Sequence, residues 1–268
     1  MKSIPLLALF AVVGFSHAAE EPLKIMLITG GCCHDYKTQT ELLKKGIEER
    51  IHAEVTQIHV DDGSTRPPLP IHGNPEYAAG YDLVIHDQCA ADIKEVEVVK
   101  GVLKPHLDGL PAVALHCAMH SYRTGDFGKK VDKPGDDGSL WFEFLGLQSS
   151  GHGPQRPIEI TYTRPNHPAV KGLPEWTTIN EELYNNLAVF GQAEPLAKGK
   201  QDGQEAVVVW TNLYGPKKTR VFCTTLGHNN ETVADSRYLD LVAKGVLWAT
   251  SKMDANGRPL PGYGRPKP

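Results

Sequence analysis

Short apolar bursts alternate with amphipathic stretches along most of this chain. Residues 24–29 (KIMLIT) are apolar and partly β-branched after Pro22, which predicts a buried first strand closed by Gly30 and Gly31. Residues 38–51 set Leu42, Leu43, Ile47 and Ile51 on one stripe at helical spacing. Residues 53–60 alternate as a strand does, and a loop rich in Pro and Gly runs on to Gly80. A third strand is predicted over 81–86 (YDLVIH), a helix over 91–107 and a fourth strand over 111–116 (PAVALH). Strand and helix in this rhythm predict an α/β fold, a mostly parallel sheet with helices on both faces. Ligands of such sheets bind at the carboxyl ends of the strands.

Beyond the fourth strand the pattern is less regular. Residues 124–139 are polar and glycine-rich, an excursion near the site and not core; 141–145 predicts a short helix. Residues 157–163, 206–210 and 220–225 (RVFCTT) are strand candidates, and 233–250 is an amphipathic closing helix. Residues 251–268 are dense in Gly and Pro, which favours an extended or disordered tail. Trp141, Tyr184 and Trp210 read either as core or as platforms for stacking a sugar.

The first residues change the picture of location. Lys2, an apolar run from Ile4 to Phe15 and Ser16-His17-Ala18 have the layout of a signal peptide, residues 1–18, so export to the periplasm or beyond is expected. The run is shorter than the ~20 residues a membrane span needs. No membrane span is expected elsewhere, and the main domain is placed at 23–250. A net charge of −4 and a pI near 6.3 argue against a nucleic-acid surface. Five cysteines (Cys32, Cys33, Cys89, Cys117, Cys223) are too few for a disulfide scaffold in a chain of 268 residues, although export permits one or two bonds.

Four polar segments carry the candidate chemistry. Gly30-Gly31-Cys32-Cys33-His34-Asp35-Tyr36 follows the first strand, where two glycines let backbone approach a ligand. Leu115-His116-Cys117-Ala118-Met119-His120 ends the fourth strand. The side chain at such a tight strand-to-helix turn is thrust above the sheet edge, so His116 takes the elbow and Cys117, one position late, points elsewhere. Asn180-Glu181-Glu182-Leu183-Tyr184 reads as a loop or helix start. Its carboxylates suit acid–base chemistry, metal binding or sugar hydroxyls, or else a solvated pair at a helix start. One of the two neighbours is expected to face outward, and Glu182 is assigned to the site. Leu226-Gly227-His228-Asn229-Asn230-Glu231 sets another imidazole on the rim, with Asp35 or Glu231 placed to orient a ring from behind.

In order and spacing, GGCCHDY, PAVALHCAMHS, HPAVKGLP with NEELYNN, and RVFCTTLGHNNET resemble the ThuA-like family of sugar utilisation, within the class I glutamine amidotransferase-like superfamily. The resemblance covers residues 24 to 249 and implies a flavodoxin-like fold. It also implies a role with trehalose-like disaccharides or their keto-sugar derivatives. Amidotransferases of this fold use an elbow Cys with a His–Glu pair, and His116 at the elbow makes glutamine hydrolysis an unexpected activity here. The expected site is therefore His116, His228 and Glu182 as catalytic groups, with His34, Asp35 and Tyr184 binding substrate. His34, His116 and His228 are the candidate ligands of a divalent metal. The expected partner is a small carbohydrate. A sugar-binding module without turnover is the alternative, and a Cys117-dependent amidase the least favoured.

Overall fold

Alternation along β1 (Leu23–Gly31) shows how the sheet is covered. Leu23, Ile25 and Leu27 pack into one apolar cluster with Leu43 and Ile47, while Met26 and Ile28 pack into a second with Val99 and Val102. Successive side chains of a strand point to opposite faces, so a strand covered on both sides must be apolar throughout. The computed structural model describes residues 20–131 and 134–265, and the proposed signal peptide lies outside them.

After β1 come α1 (Tyr36–Glu48), β2 (Ala53–Val60), β3 (Leu83–Cys89), α2 (Val96–Leu107) and β4 (Ala112–Leu115). A 3-10 turn, His116–His120, and α3 (Leu140–Leu145) follow. Then come β5 (Leu147–Gln148), β6 (His152–Arg156), β7 (Glu159–Tyr162), β8 (Trp176–Thr177), β9 (Glu181–Tyr184) and β10 (Ala188–Val189). The chain finishes with β11 (Glu194–Gln201), β12 (Gln204–Tyr214), β13 (Thr219–Thr224), α4 (Asn230–Ala234) and α5 (Ser236–Ala249). The main sheet has the order β2-β1-β3-β4-β13-β12-β11-β7-β8. Its first five strands are parallel and the rest antiparallel. Helices α1 and α5 supply residues to the first cluster and α2 and α3 to the second, so both faces are covered.

Strand order reverses between β1 and β3, and the crevice beyond their carboxyl ends is where such sheets bind ligands. Two short pairs, β6 with β9 and β5 with β10, stand apart from the main sheet. Among the described residues no helix is long and apolar enough to cross a membrane.

The structure departs from the sequence pattern at identifiable points. The segment Glu181–Tyr184 is a fully buried strand, not a loop or helix start, because it pairs with β6. Helix α2 begins at Val96, not near residue 91, since Asp92 is engaged by Thr65 and Lys94 instead of entering a helical turn. The closing helix is broken at Asp235, whose side chain accepts from Arg237 N and caps α5. Residues 251–265 form turns and a bridge between Met253 and Pro259, with Tyr263 buried, where an extended or disordered tail was expected. Trp141, Tyr184 and Trp210 are at most 1 % exposed, so all three are core and none is a stacking platform.

Candidate functional site

Three parallel strands and one strand of the small pair deliver the site. The turns after β1, β4 and β13 bring in His34, His116 and His228, and β9 lays Glu182 across the same rim. His116 has φ +37, a left-handed conformation that costs a non-glycine residue of order 1 kcal/mol or more, held here at the sharp strand-to-turn elbow. Ring centroids lie 4.6 Å apart for His34 and His116, 4.8 Å for His34 and His228 and 5.4 Å for His116 and His228. Glu182 lies against two of these rings and a fourth histidine. Its Oε1 is 3.3 Å from His228 Nδ1, and its Oε2 is 3.6 Å from both His116 Nε2 and His152 Nε2.

Backbone carbonyls fix how the rings present themselves. His116 Nδ1 lies 2.6 Å from Thr225 O, and only an N–H can donate to a carbonyl, so Nε2 carries the lone pair and accepts from the Tyr184 hydroxyl at 3.3 Å. His34 Nδ1 faces His228 O at 3.4 Å, leaving its Nε2 free in the same sense. His228 Nδ1 is buried and has no well-aligned hydrogen bond, although Glu182 is within ion-pair distance.

Electrostatics divide the cluster. Burial, reinforced by charge at His116 and His228, holds His34 down at about 3, and burial holds His116 down at about 4. His228 is raised, first by its interaction with Glu182. Burial pushes Glu182 up, but the bond from His228 and the surrounding imidazoles outweigh it and hold the carboxyl at about 2. Near neutrality the rim therefore carries two neutral imidazoles beside an ionised carboxylate, and that carboxylate favours the protonated form of His228.

Acid stability follows from the two neutral rings. The folded protein refuses protons that the unfolded chain accepts below 6.5. That contribution is present above pH 6.5 and is lost as pH falls towards the folded values of about 3 and 4. Between pH 7 and pH 5 each ring should remove about 2 kcal/mol of unfolding free energy, by the same linkage. Urea midpoints at the two pH values measure it. His34→Gln should flatten the slope, and a wild-type midpoint unchanged between them would contradict this account.

Other expected residues fall differently. Asp35 lines the cleft with Cys33, His34, His228 and Asn230, but its carboxylate caps α1 through Thr38 N and accepts from Asn230 Nδ2, so it orients no ring. Glu231 lines the same cleft, about 470 Å³ in volume. Tyr184, expected to touch substrate, lies behind His116 as a buried support. Cys117 is buried beside Cys89 and Tyr36, away from the imidazoles; its bond with Cys89 and burial push its thiol well up, so it is no ready nucleophile.

Glu181 is the main residue the pattern missed. Expected to face solvent, it is fully buried, and its carboxylate accepts from the backbone N–H of Gly227, His228 and Asn229 at 3.0 to 3.4 Å. Gln39 Nε2 holds His228 O at 2.9 Å from the other side. His120, stacked on Tyr184 at 4.2 Å, and His152 also join the polar layer. A second histidine in the elbow segment was the one visible signal for His120.

Comparison with known proteins supplies the family and the fold. The ThuA family profile, described as trehalose utilisation, matches residues 24–249. The chain belongs to the ThuA family. A role connected with carbohydrate utilisation follows from that membership. Among solved structures, a ThuA-like protein from Bacteroides uniformis is 14 % identical, with 90 % of this chain and 97 % of that one covered and a TM-score of 0.60. A β-galactosidase from Halorubrum lacusprofundi is 11 % identical, covering 89 % of this chain and 32 % of that chain, TM-score 0.50. A glutamine amidotransferase from Thermotoga maritima is 8 % identical over 86 % of this chain and 99 % of that one, TM-score 0.46. A search of curated protein sequences gave no match. The fold of this ThuA protein is flavodoxin-like, with its switch point between β1 and β3, and it is shared with the ThuA-like protein from Bacteroides uniformis.

Proposed function

We propose that this ThuA protein is an exported enzyme that moves protons on a disaccharide or a keto-sugar derivative. The observation that carries the reading is the convergence of His34, His116, His228 and Glu182 at the carboxyl edge of the sheet, with imidazoles shifted in opposite directions inside one cluster. A general acid–base needs a value near the working pH, and His228 backed by Glu182 is the group raised towards it. In enolising a keto sugar, a proton leaves the carbon beside the carbonyl and one is delivered to the carbonyl oxygen. His228 and Glu182 carry that traffic, while the lone pair of His34, and that of His116 once the Tyr184 hydroxyl turns away, receive sugar hydroxyls or a cation.

With His228 deprotonated, the donor set fits a divalent metal. One ring nitrogen from each of His34, His116 and His228 lies within 4.8 Å of the others. Ligand nitrogens around a tetrahedral zinc are ~3.4 Å apart, so side-chain adjustments of roughly 1 Å would close the set. A cation held there would polarise a substrate carbonyl.

The alternatives have less support. A binding module would want exposed aromatic platforms, and the three candidates are core. A cysteine amidase would want a thiolate at the elbow, where His116 stands. Both are separated from the leading reading by turnover of disaccharides and their keto derivatives. His116→Ala should lower turnover by about 10²-fold or more, the scale of a lost acid–base or positioning group, while Cys117→Ala should retain it. Inactivation by a thiol reagent that Cys117→Ala prevents would overturn the assignment. Export is tested separately: mass spectrometry of the envelope fraction should find a mature start near Ala19 or Glu20, and intact Met1 in the cytoplasm would end the idea.

A further inference from the structure

Three of the five cysteines meet at the end of β1, outside the acid–base cluster. The parallel register sets Gly31 opposite Cys89, and a Cβ on Gly31 would collide with the Cys89 carbonyl. Glycines at 30 and 31, with φ +133 and +105, therefore let the chain fold directly over β3. That turn lays Cys32 Sγ 3.5 Å from the buried Cys89 Sγ. Cys32 is disulfide-bonded to Cys33, which is exposed and has φ +84. All three sulfurs lie within 4.8 Å of one another. A free thiol at van der Waals contact with one sulfur of a disulfide, with the other sulfur facing solvent, has the layout of an exchange reaction.

We infer that Cys32, Cys33 and Cys89 form a thiol–disulfide exchange centre whose solvent-facing sulfur, Cys33, is a modification site. Cys89 as thiolate attacks Cys32 Sγ, the Cys32–Cys33 bond breaks, and a Cys32–Cys89 bond forms. Cys33 leaves as a thiolate and takes a proton from solvent. One disulfide is exchanged for another, so no external oxidant or reductant is consumed. The thiol freed at Cys33 sits on the rim of the cleft that His34 and His228 also line, open to a small disulfide such as oxidised glutathione. Hydrogen bonding from Cys117 lowers the Cys89 thiol, which favours it as the attacking sulfur. This inference is independent of the sugar-processing reading, because its readout is covalent.

Full-length protein purified without reductant, held at pH 8, quenched in acid, alkylated with N-ethylmaleimide and mapped by non-reducing peptide mass spectrometry tests it. Two forms are expected: Cys32–Cys33, and Cys32–Cys89 with the label on Cys33. Cys89→Ser should lower labelling at Cys33 by about tenfold or more, since the internal attacker is gone. If that variant does not fold, Cys33→Ser serves instead, and diamide should then link Cys32 to Cys89 and leave Cys117 free. Wild-type protein with Cys33 never labelled, with three free thiols at these positions, or with no Cys32–Cys89 link in the diamide-treated variant would overturn the proposal. Incubation with oxidised glutathione should place the mixed disulfide on Cys33, and its appearance only on Cys117 or Cys223 would overturn the site assignment.

Discussion

Glu181→Ala should destabilise the protein by about 3 kcal/mol, the cost of stranding two or three buried backbone donors at 1–3 kcal/mol each. The carboxylate takes the N–H groups of Gly227, His228 and Asn229, and no other acceptor among the described residues serves them. Burial raises the Glu181 carboxyl above its ordinary value against those bonds, and what the loop requires of it is two acceptor oxygens. Glu181→Gln keeps one oxygen and should recover about half of the loss, by the same count of satisfied donors. Urea midpoints of the two variants at pH 7 give the comparison. An alanine variant that unfolds with the wild type would show that the loop is held by packing alone. Because the loop carries His228, the alanine variant should also lose the raised titration of that ring.

Why the pattern missed this residue is a matter of burial. Adjacent side chains on a strand do point to opposite faces, and Glu181 and Glu182 do so: one to the 227–229 loop, the other to the imidazoles. The mistaken premise was that one face meets water. Strand β9 is covered on both sides, which no local sequence reports. The three imidazoles were legible for the converse reason. An apolar run ending in a polar residue marks a strand's carboxyl end, and in a parallel sheet those ends share one rim. His116 and His228 follow such runs directly and His34 follows after a glycine turn, so the topology alone brings them together.

Elsewhere, tertiary context overrode the local signal. Strand β11 reads EPLAKGKQ, with a proline, a glycine and two lysines, and nothing apolar at strand spacing announces it. It exists because β12 and β7 pair with it on either side, and Gly199 leaves room for Ile158 and Val208. Asp35 was visible as a polar residue near the rim, but whether it would cap a helix or orient a ring depended on where α1 began. The cysteine pair was equally visible, and its closeness to Cys89 depended on the register of β1 against β3.

Glu182→Gln should lower turnover by about 10²- to 10⁴-fold, the range for loss of general acid–base function, and should move the titration of His228 downward. Both follow from one contact. Glu182 Oε1, 3.3 Å from Nδ1, favours the protonated His228 ring, and burial opposes it. With the charge removed, burial is left to act, and the ring should titrate below its wild-type position. The wild-type ring contributes stability below its unfolded value and loses it as pH rises through its raised folded value; the variant should lack that dependence. Glutamine preserves the shape of the side chain, so β9 and its pairing with β6 should stay intact. Proton NMR of the histidine ring signals across pH gives the titration, and kinetics on a substrate found by the sugar screen give turnover. If the His228 titration stays in place while turnover falls, Glu182 acts through His116 or His152, both 3.6 Å from its other oxygen. If neither changes, the carboxylate is a structural neighbour of the histidines, and the proton must be carried by another pair.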